Sequence, residues 1–233
     1  MSANGPWPLI DPPYDFPPYR SSRLRAPKLP LVAVPDRLLD RTGPVFGESA
    51  VGPGDADLTR QHAGEPQGQR IVVAGSLLDE DGRPLAGQLV EIWQANAAGR
   101  YAHAFDQHPA PLDPNFTGTG RCLTGPDGSF RFITIQPGAY PWRNHDNAWR
   151  PAHIHFSVFG RAFAERLITQ MYFPGDPLLD HDPIYQSVMD PRQRQRLLSA
   201  LDMDLTEPEW AVGYRWNIVV GRHHGTPFES GRA

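Results

Sequence analysis

Hydrophobic and polar positions alternate with a period of two in several short runs, and turn residues separate the runs. Arg70 to Leu78 reads as a strand, Asp81-Gly82 as a turn, and Gln88 to Gln94 as a second strand. Asp127-Gly128 marks another turn, ahead of the strand-like Ser129 to Ile135. Pro151 precedes the alternating stretch Ala152 to Phe159, and Leu167 to Phe173 and Gly213 to Val220 also read as strands. Short strands joined by Gly, Pro and Asp turns predict an all-β fold, a β-sandwich core of mixed topology with long loops. One short helix is expected: Asp190 caps it, Pro191 opens it, and Arg192 to Leu201 places Leu197, Leu198 and Leu201 where they can share a face.

Proline changes the picture at the N-terminal side. Of 26 prolines in the 233 residues, 11 fall in the first 60, so this part cannot be long helix. Pro12-Pro13-Tyr14 and Pro17-Pro18-Tyr19 predict extended backbone. Trp7, Tyr14, Phe16 and Tyr19 argue against a disordered tail, because such tails are poor in aromatics. Residues 1–68 are therefore expected to form an ordered extended arm that lies against this domain or a partner chain, and residues 69–233 the sandwich domain.

Charge and cysteine content exclude other classes. Lys and Arg number 22 against 26 Asp and Glu, so the basic excess of a nucleic-acid binder is missing. Cys122 stands alone, which rules out an internal disulfide and a cysteine-based zinc site. No apolar run approaches the ~18 residues of a membrane span. Met1 to Arg20 lacks the apolar core of a secretory signal, so a cytoplasmic location is expected.

The sharpest chemical feature is His153-Ile154-His155. On a strand the two imidazoles project from one face, while Ala152, Ile154 and Phe156 take the other. Two imidazoles side by side are half of a metal site. A carboxylate from Asp146, Asp176, Asp180 or Asp182 would complete a cupin-like Fe(II) centre. Tyrosine is the other oxygen donor. A phenol with a pKa of about 10 is a poor ligand at neutral pH, but a trivalent cation deprotonates it, and hard phenolate suits Fe(III) better than Zn(II) or Cu(I). His103, His108 and His145 compete as ligands, and His223 and His224 read as a solvated tail.

Longer strings carry a resemblance. They are Leu89-Val90-Glu91-Ile92-Trp93-Gln94-Ala95-Asn96 with Gly99-Arg100-Tyr101, and Ala110-Pro111-Leu112-Asp113-Pro114-Asn115-Phe116. Pro137-Gly138-Ala139-Tyr140-Pro141-Trp142-Arg143-Asn144 and Trp149-Arg150-Pro151-Ala152-His153-Ile154-His155-Phe156 follow. Through these, Ile71 to Val220 resembles the intradiol ring-cleaving dioxygenases, and within them the iron-bearing chain of the two-chain members. The N-terminal arm matches only loosely.

The resemblance implies one non-haem Fe(III) per chain, held by Tyr101, Tyr140, His153 and His155. It implies a catecholic substrate and O2, with protocatechuate cleaved between its hydroxylated carbons to 3-carboxy-cis,cis-muconate, a step of aromatic catabolism in the β-ketoadipate pathway. Another catechol (catechol, hydroxyquinol or a sulfocatechol) is the alternative substrate, and a non-catalytic binding subunit the alternative role. Tyr140 would leave the iron and take a substrate proton. Arg150 would stabilise anionic intermediates, and Gln170 would be a polar group beside them. Trp142, Ile184 and, in the arm, Tyr19 would contact substrate. A related alpha chain without the iron site would complete a hetero-oligomer. Glu91 reads as structural, and Asp113 and Asn115 as organisers of their loop.

Overall fold

The computed structural model describes residues 12–30, 51–159, 166–221 and 225–228. Trp7, His223 and His224 lie outside them. The described residues form two β-sheets that close face to face.

β1 (Arg70–Asp79) is the centre of the first sheet. β4 (Ser129–Ile135) pairs with it antiparallel. β10 (Val212–Arg215) and β11 (Ile218–Val220) pair with it parallel, one after the other and in the same register, and β9 (Ala200–Leu201) adds to β10. The second sheet is antiparallel, in the order β3 (Thr119–Leu123), β2 (Leu89–Gln94), β7 (His153–Phe159), β8 (Arg166–Tyr172). A two-stranded ribbon, β5 (Tyr140–Pro141) with β6 (Trp149–Arg150), stands apart.

Alternation explains the layers. Ile71, Val73 and Leu77 of β1 and Phe130 and Phe132 of β4 meet Val90 and Ile92 of β2 and Ile154, Phe156 and Val158 of β7 in one core. Phe156 lies edge-on to Phe130, Phe132 and Trp216, the arrangement that the ring quadrupoles favour. Residues 51–68, grouped with the arm on composition, also reach this core: Leu58 is fully buried in it, and its N–H donates to the Ile133 carbonyl at 2.8 Å.

The strands expected from the sequence are present, with β8 beginning at Arg166 and the Gly213–Val220 stretch divided into β10 and β11. The helix is corrected. α3 covers only Pro191–Gln195, with the Asp190 carboxylate capping Arg192 N–H as expected. It stops because the following backbone pairs with the end of β8 instead. Tyr172 N–H donates to the Leu197 carbonyl at 2.8 Å, and Ser199 N–H to the Tyr172 carbonyl at 2.9 Å. Leu201 is therefore in β9, exposed, and shares no helical face with Leu197. Two further short helices, α1 (Ser22–Arg25) and α2 (Pro183–Ser187), were not expected. Asp182-Pro183 opens α2 with the same cap signal as Asp190-Pro191.

Candidate active site

The site lies on the outer face of the second sheet. Register alone assembles much of it: β7 places His153 opposite Tyr172 and His155 opposite Gln170 on β8, with Trp93 of β2 on the other side of His155. Paired residues share a face, so all five side chains point away from the hydrophobic core. Loops cover them, and His153, His155, Gln170 and Tyr172 are buried although they face outward.

Two glycine turns bring Tyr101 and Tyr140 over this face. Asn96 organises the first loop: its Oδ1 accepts from Ala98 N–H and Arg100 N–H, at 3.0 and 2.9 Å. Gly99 takes φ +77°, and a Cβ there would stand 2.1 Å from the Ala139 carbonyl oxygen. A Cβ on Gly138 would stand 2.4 Å from the Ala97 carbonyl oxygen. Each tyrosine thus follows a glycine that lets the two loops cross backbone against backbone. The rings of Tyr101 and Tyr140 consequently meet edge to face, 5.3 Å apart.

The four side chains converge in pairs. Tyr101 Oη is 3.1 Å from His155 Nε2, and Tyr140 Oη is 3.4 Å from His153 Nε2. His153 Nδ1 lies 2.7 Å from the Pro151 carbonyl oxygen, which can only accept, so Nδ1 carries the proton and Nε2 offers its lone pair to the site. Burial, with Arg150 and His155 alongside, holds the His153 pKa well below the usual imidazole range and keeps the ring neutral. Burial pushes the Tyr140 phenol up, against the pull of the Arg150 guanidinium beside it.

This arrangement fits a metal ion. Two donors each about 2.1 Å from one ion stand roughly 3.0–3.4 Å apart at angles from about 90° to about 110°. Both tyrosine–histidine separations fall in that span. Among the described residues, no group of three or more His, Cys, Asp and Glu is placed to hold a metal. The oxygen atoms nearest the two imidazole Nε2 atoms in these pairs are the Tyr101 and Tyr140 phenols.

Arg150 occupies the middle. It is 2% exposed, and its Nη1 donates to Tyr140 Oη at 3.2 Å and lies 3.0 Å from His153 Nε2. Nη2 donates to Gln170 Oε1 at 2.6 Å and to Asp182 Oδ2 at 2.8 Å, and Nε to Asp182 Oδ1 at 3.2 Å. Gln170 Oε1 is engaged in this way, while its Nε2 is buried and has no hydrogen-bond partner among the described residues. Tyr172 Oη lies 2.8 Å from Gln170 Oε1 and 2.9 Å from Asp182 Oδ2.

The other candidates separate. Trp142 lies under the Arg150 guanidinium, 5.2 Å from the ring centre, and Tyr19 of the arm packs on Trp142 at 5.0 Å. The arm is fixed there by Asn144, whose Oδ1 accepts from Ser21 N–H and whose backbone carbonyl accepts from Arg20 N–H, both at 2.9 Å. Ile184 is buried in the first turn of α2, and its N–H donates to Asp182 Oδ1. His103 packs on exposed Phe105, and His108 on the edge of Trp149. His145 is buried beside Trp142. Asp113 accepts from Asn115 N–H and Gln67 N–H, so it organises its loop as expected.

Trp93, Tyr172 and the role of Asp182 escaped the sequence reading. The first two become visible only when strand register pairs them with the histidines. Asp182 carries a local signal, the Asp-Pro helix cap, that could have drawn attention to it.

Comparison with known proteins gives a consistent picture. Residues 41–222 match the family model described as Dioxygenase, and residues 4–37 that of the protocatechuate 3,4-dioxygenase beta subunit N-terminal segment. The chain is 55% identical over 225 residues to the protocatechuate 3,4-dioxygenase beta chain of Burkholderia cepacia, covering 96% of this chain and 95% of that one. It is 32% identical to hydroxyquinol 1,2-dioxygenase of Rhizobium sp. (strain MTP-10005), over 51% of this chain and 42% of that one. The structure of 3-chlorocatechol 1,2-dioxygenase from Rhodococcus opacus 1CP superposes with a TM-score of 0.55 at 26% identity, over 77% of this chain and 70% of that one.

Proposed function

This chain belongs to the intradiol ring-cleaving dioxygenases, and on that premise we propose that it is the iron-bearing beta-type chain of an enzyme that opens protocatechuate with O2. Both oxygen atoms enter the product, 3-carboxy-cis,cis-muconate, and the carbon–carbon bond between the two hydroxylated positions breaks. Members of the family generally depend on non-haem iron. The observation that carries the reading is the convergence of two phenols and two imidazoles, from Tyr101, Tyr140, His153 and His155, on one buried face.

These four residues would hold one Fe(III). When bound, the ion supplies a Lewis-acidic centre that both catechol oxygens can reach and that opens the ring to attack by O2. The chain's own groups do the rest. His153 and His155 present neutral nitrogen donors. Tyr140, as its phenolate, is a base that takes a hydroxyl proton from the arriving catechol. Arg150 Nη1 then faces the anionic oxygen, in a setting dry enough for the charge to count. Gln170 Nε2, a buried donor awaiting an acceptor, turns toward the same developing charge. Trp142 and Tyr19 form an aromatic wall, and Ile184 an apolar one.

Protocatechuate is favoured over other catechols by the extent of likeness, 55% over nearly the whole chain against 32% over half of it for the hydroxyquinol enzyme. The arm of residues 1–68, apart from the stretch 51–68 that packs into this chain's own core, would contact a related alpha chain that completes a hetero-oligomer in the cytoplasm. Among the described residues no helix is long and apolar enough to cross a membrane.

The test is a visible absorption spectrum of the iron-loaded protein, alone and with protocatechuate under anaerobic conditions. A broad tyrosinate-to-iron band that shifts with substrate is expected, and Tyr101→Phe and Tyr140→Phe should each alter it. An iron-loaded protein without colour would refute the two-tyrosine ligand set. Colour that ignores protocatechuate but answers to another catechol would move the substrate.

A further inference from the structure

We propose that Asp182 is a positioning residue for ring cleavage, holding the Arg150 guanidinium so that both Nη1 hydrogens face Tyr140 and His153. The inference rests on the reading above that Arg150 meets anionic oxygen at the site.

The hydrogens of Arg150 can be counted. A guanidinium has five N–H donors in a rigid plane. Nε–H and one Nη2–H go to the two oxygens of Asp182, a side-on pairing through both atoms at 3.2 and 2.8 Å. The other Nη2–H is shared between Gln170 Oε1 at 2.6 Å and Tyr172 Oη at 3.1 Å. That leaves the two Nη1 hydrogens, directed at Tyr140 Oη and His153 Nε2. The plane is therefore set from behind, and its Nη1 edge is the one turned to the site.

Asp182 can impose this because it is itself held by its surroundings. It is fully buried and forms the N-cap of α2, where Oδ1 also accepts from Ile184 N–H at 3.2 Å. Pro183 stiffens the turn behind it. Tyr172 Oη, within reach of Asp182 Oδ2 and of Arg150 Nη2, closes the group. Without the carboxylate, the guanidinium keeps its partners at Nη1 and, through Nη2, Gln170 and Tyr172, but loses the side-on pair that defines its tilt. Removing such outer partners of a site commonly lowers activity 10- to 100-fold.

The experiment compares steady-state kinetics and visible spectra of the iron-loaded enzyme, purified as it assembles, with Asp182→Asn, Arg150→Gln and the double variant. Asp182→Asn should lower kcat about 10- to 100-fold, with KM changed far less, and should alter the band of the anaerobic catechol complex. In the Arg150→Gln background it should cost nothing further, since the residue it positions is gone. Equal kcat in Asp182→Asn and wild type overturns the proposal. So does a loss repeated in full in the Arg150→Gln background, which would mark an independent role in folding. If Asp182→Asn does not fold, Asp182→Glu keeps the charge and displaces the guanidinium. Reduced kcat with an unchanged melting temperature then supports the proposal, and full kcat overturns it. A wild-type enzyme lacking the tyrosinate band would instead refute the parent reading, and this one with it.

Discussion

Trp93 lies flat against His155, with ring centroids 4.7 Å apart and planes 4° from parallel. The two are cross-strand partners on β2 and β7, so the stack follows from register. It sets the plane of the imidazole whose Nε2 faces Tyr101. Such a ring pair is worth about 0.5–1.5 kcal/mol beyond its buried area. Trp93→Leu should therefore weaken iron retention by roughly 2- to 12-fold, the same energy written as a ratio of dissociation constants. Competition with a chelator, followed by loss of the visible band, measures it. Retention equal to wild type would mean that His155 is oriented by other contacts.

The glycine turns offer a separation of strain from crowding. Gly99 and Gly175 both have positive φ, +77° and +79°. A Cβ at Gly175 meets open space, whereas at Gly99 it meets the Ala139 carbonyl oxygen at 2.1 Å. Gly175→Ala should cost only the backbone term, about 1–2 kcal/mol, and keep the site. Gly99→Ala should in addition push apart the loops that carry Tyr101 and Tyr140. Thermal melting alongside the visible spectrum distinguishes the two. A normal spectrum in Gly99→Ala would show that the loops can part without moving the phenols.

Burial pushes the Cys122 thiol up to about 12. The folded state thus holds its proton through the range where an unfolded thiol, with a pKa of about 8.5, gives it up. Below that range both states are protonated and the residue is neutral to stability. Above it, stability falls until pH reaches the folded value. Native protein should resist iodoacetamide at pH 8–9, react once unfolded, and show a gentler alkaline decline as Cys122→Ser. Rapid alkylation of the native protein at pH 8 would contradict the assigned environment.

What the sequence made legible follows the range of each signal. His153 and His155 could be placed on one face because a strand alternates with a period of two. The long strands could be bounded because Asp-Gly turns and Pro151 punctuate them. β3, with Gly120 as its second residue, and the two-residue β5, β6 and β9 carry too few positions for a period to emerge. The helix after Asp190 was drawn too long because its leucines suit a helical face, whereas tertiary pairing with Tyr172 claims the backbone instead. Tyr101 and Tyr140 stand in no local pattern that marks a metal ligand, and the longer resembling strings are what point to them. Arg150 sits three positions from His153, yet its grip on Asp182, 32 positions further along, is a long-range fact with no local trace.

The pairing of β1 with β10 and β11 bears on how the molecule comes into being. Ser76 on β1 and Asn217 between the two late strands are joined by a hydrogen bond across 141 positions of chain. During synthesis the first core strand emerges long before its parallel neighbours exist, and closing so large a loop is slow. Until then its apolar edge is exposed to other nascent chains. Completion of the first sheet therefore waits on the interval between translating β1 and translating β10.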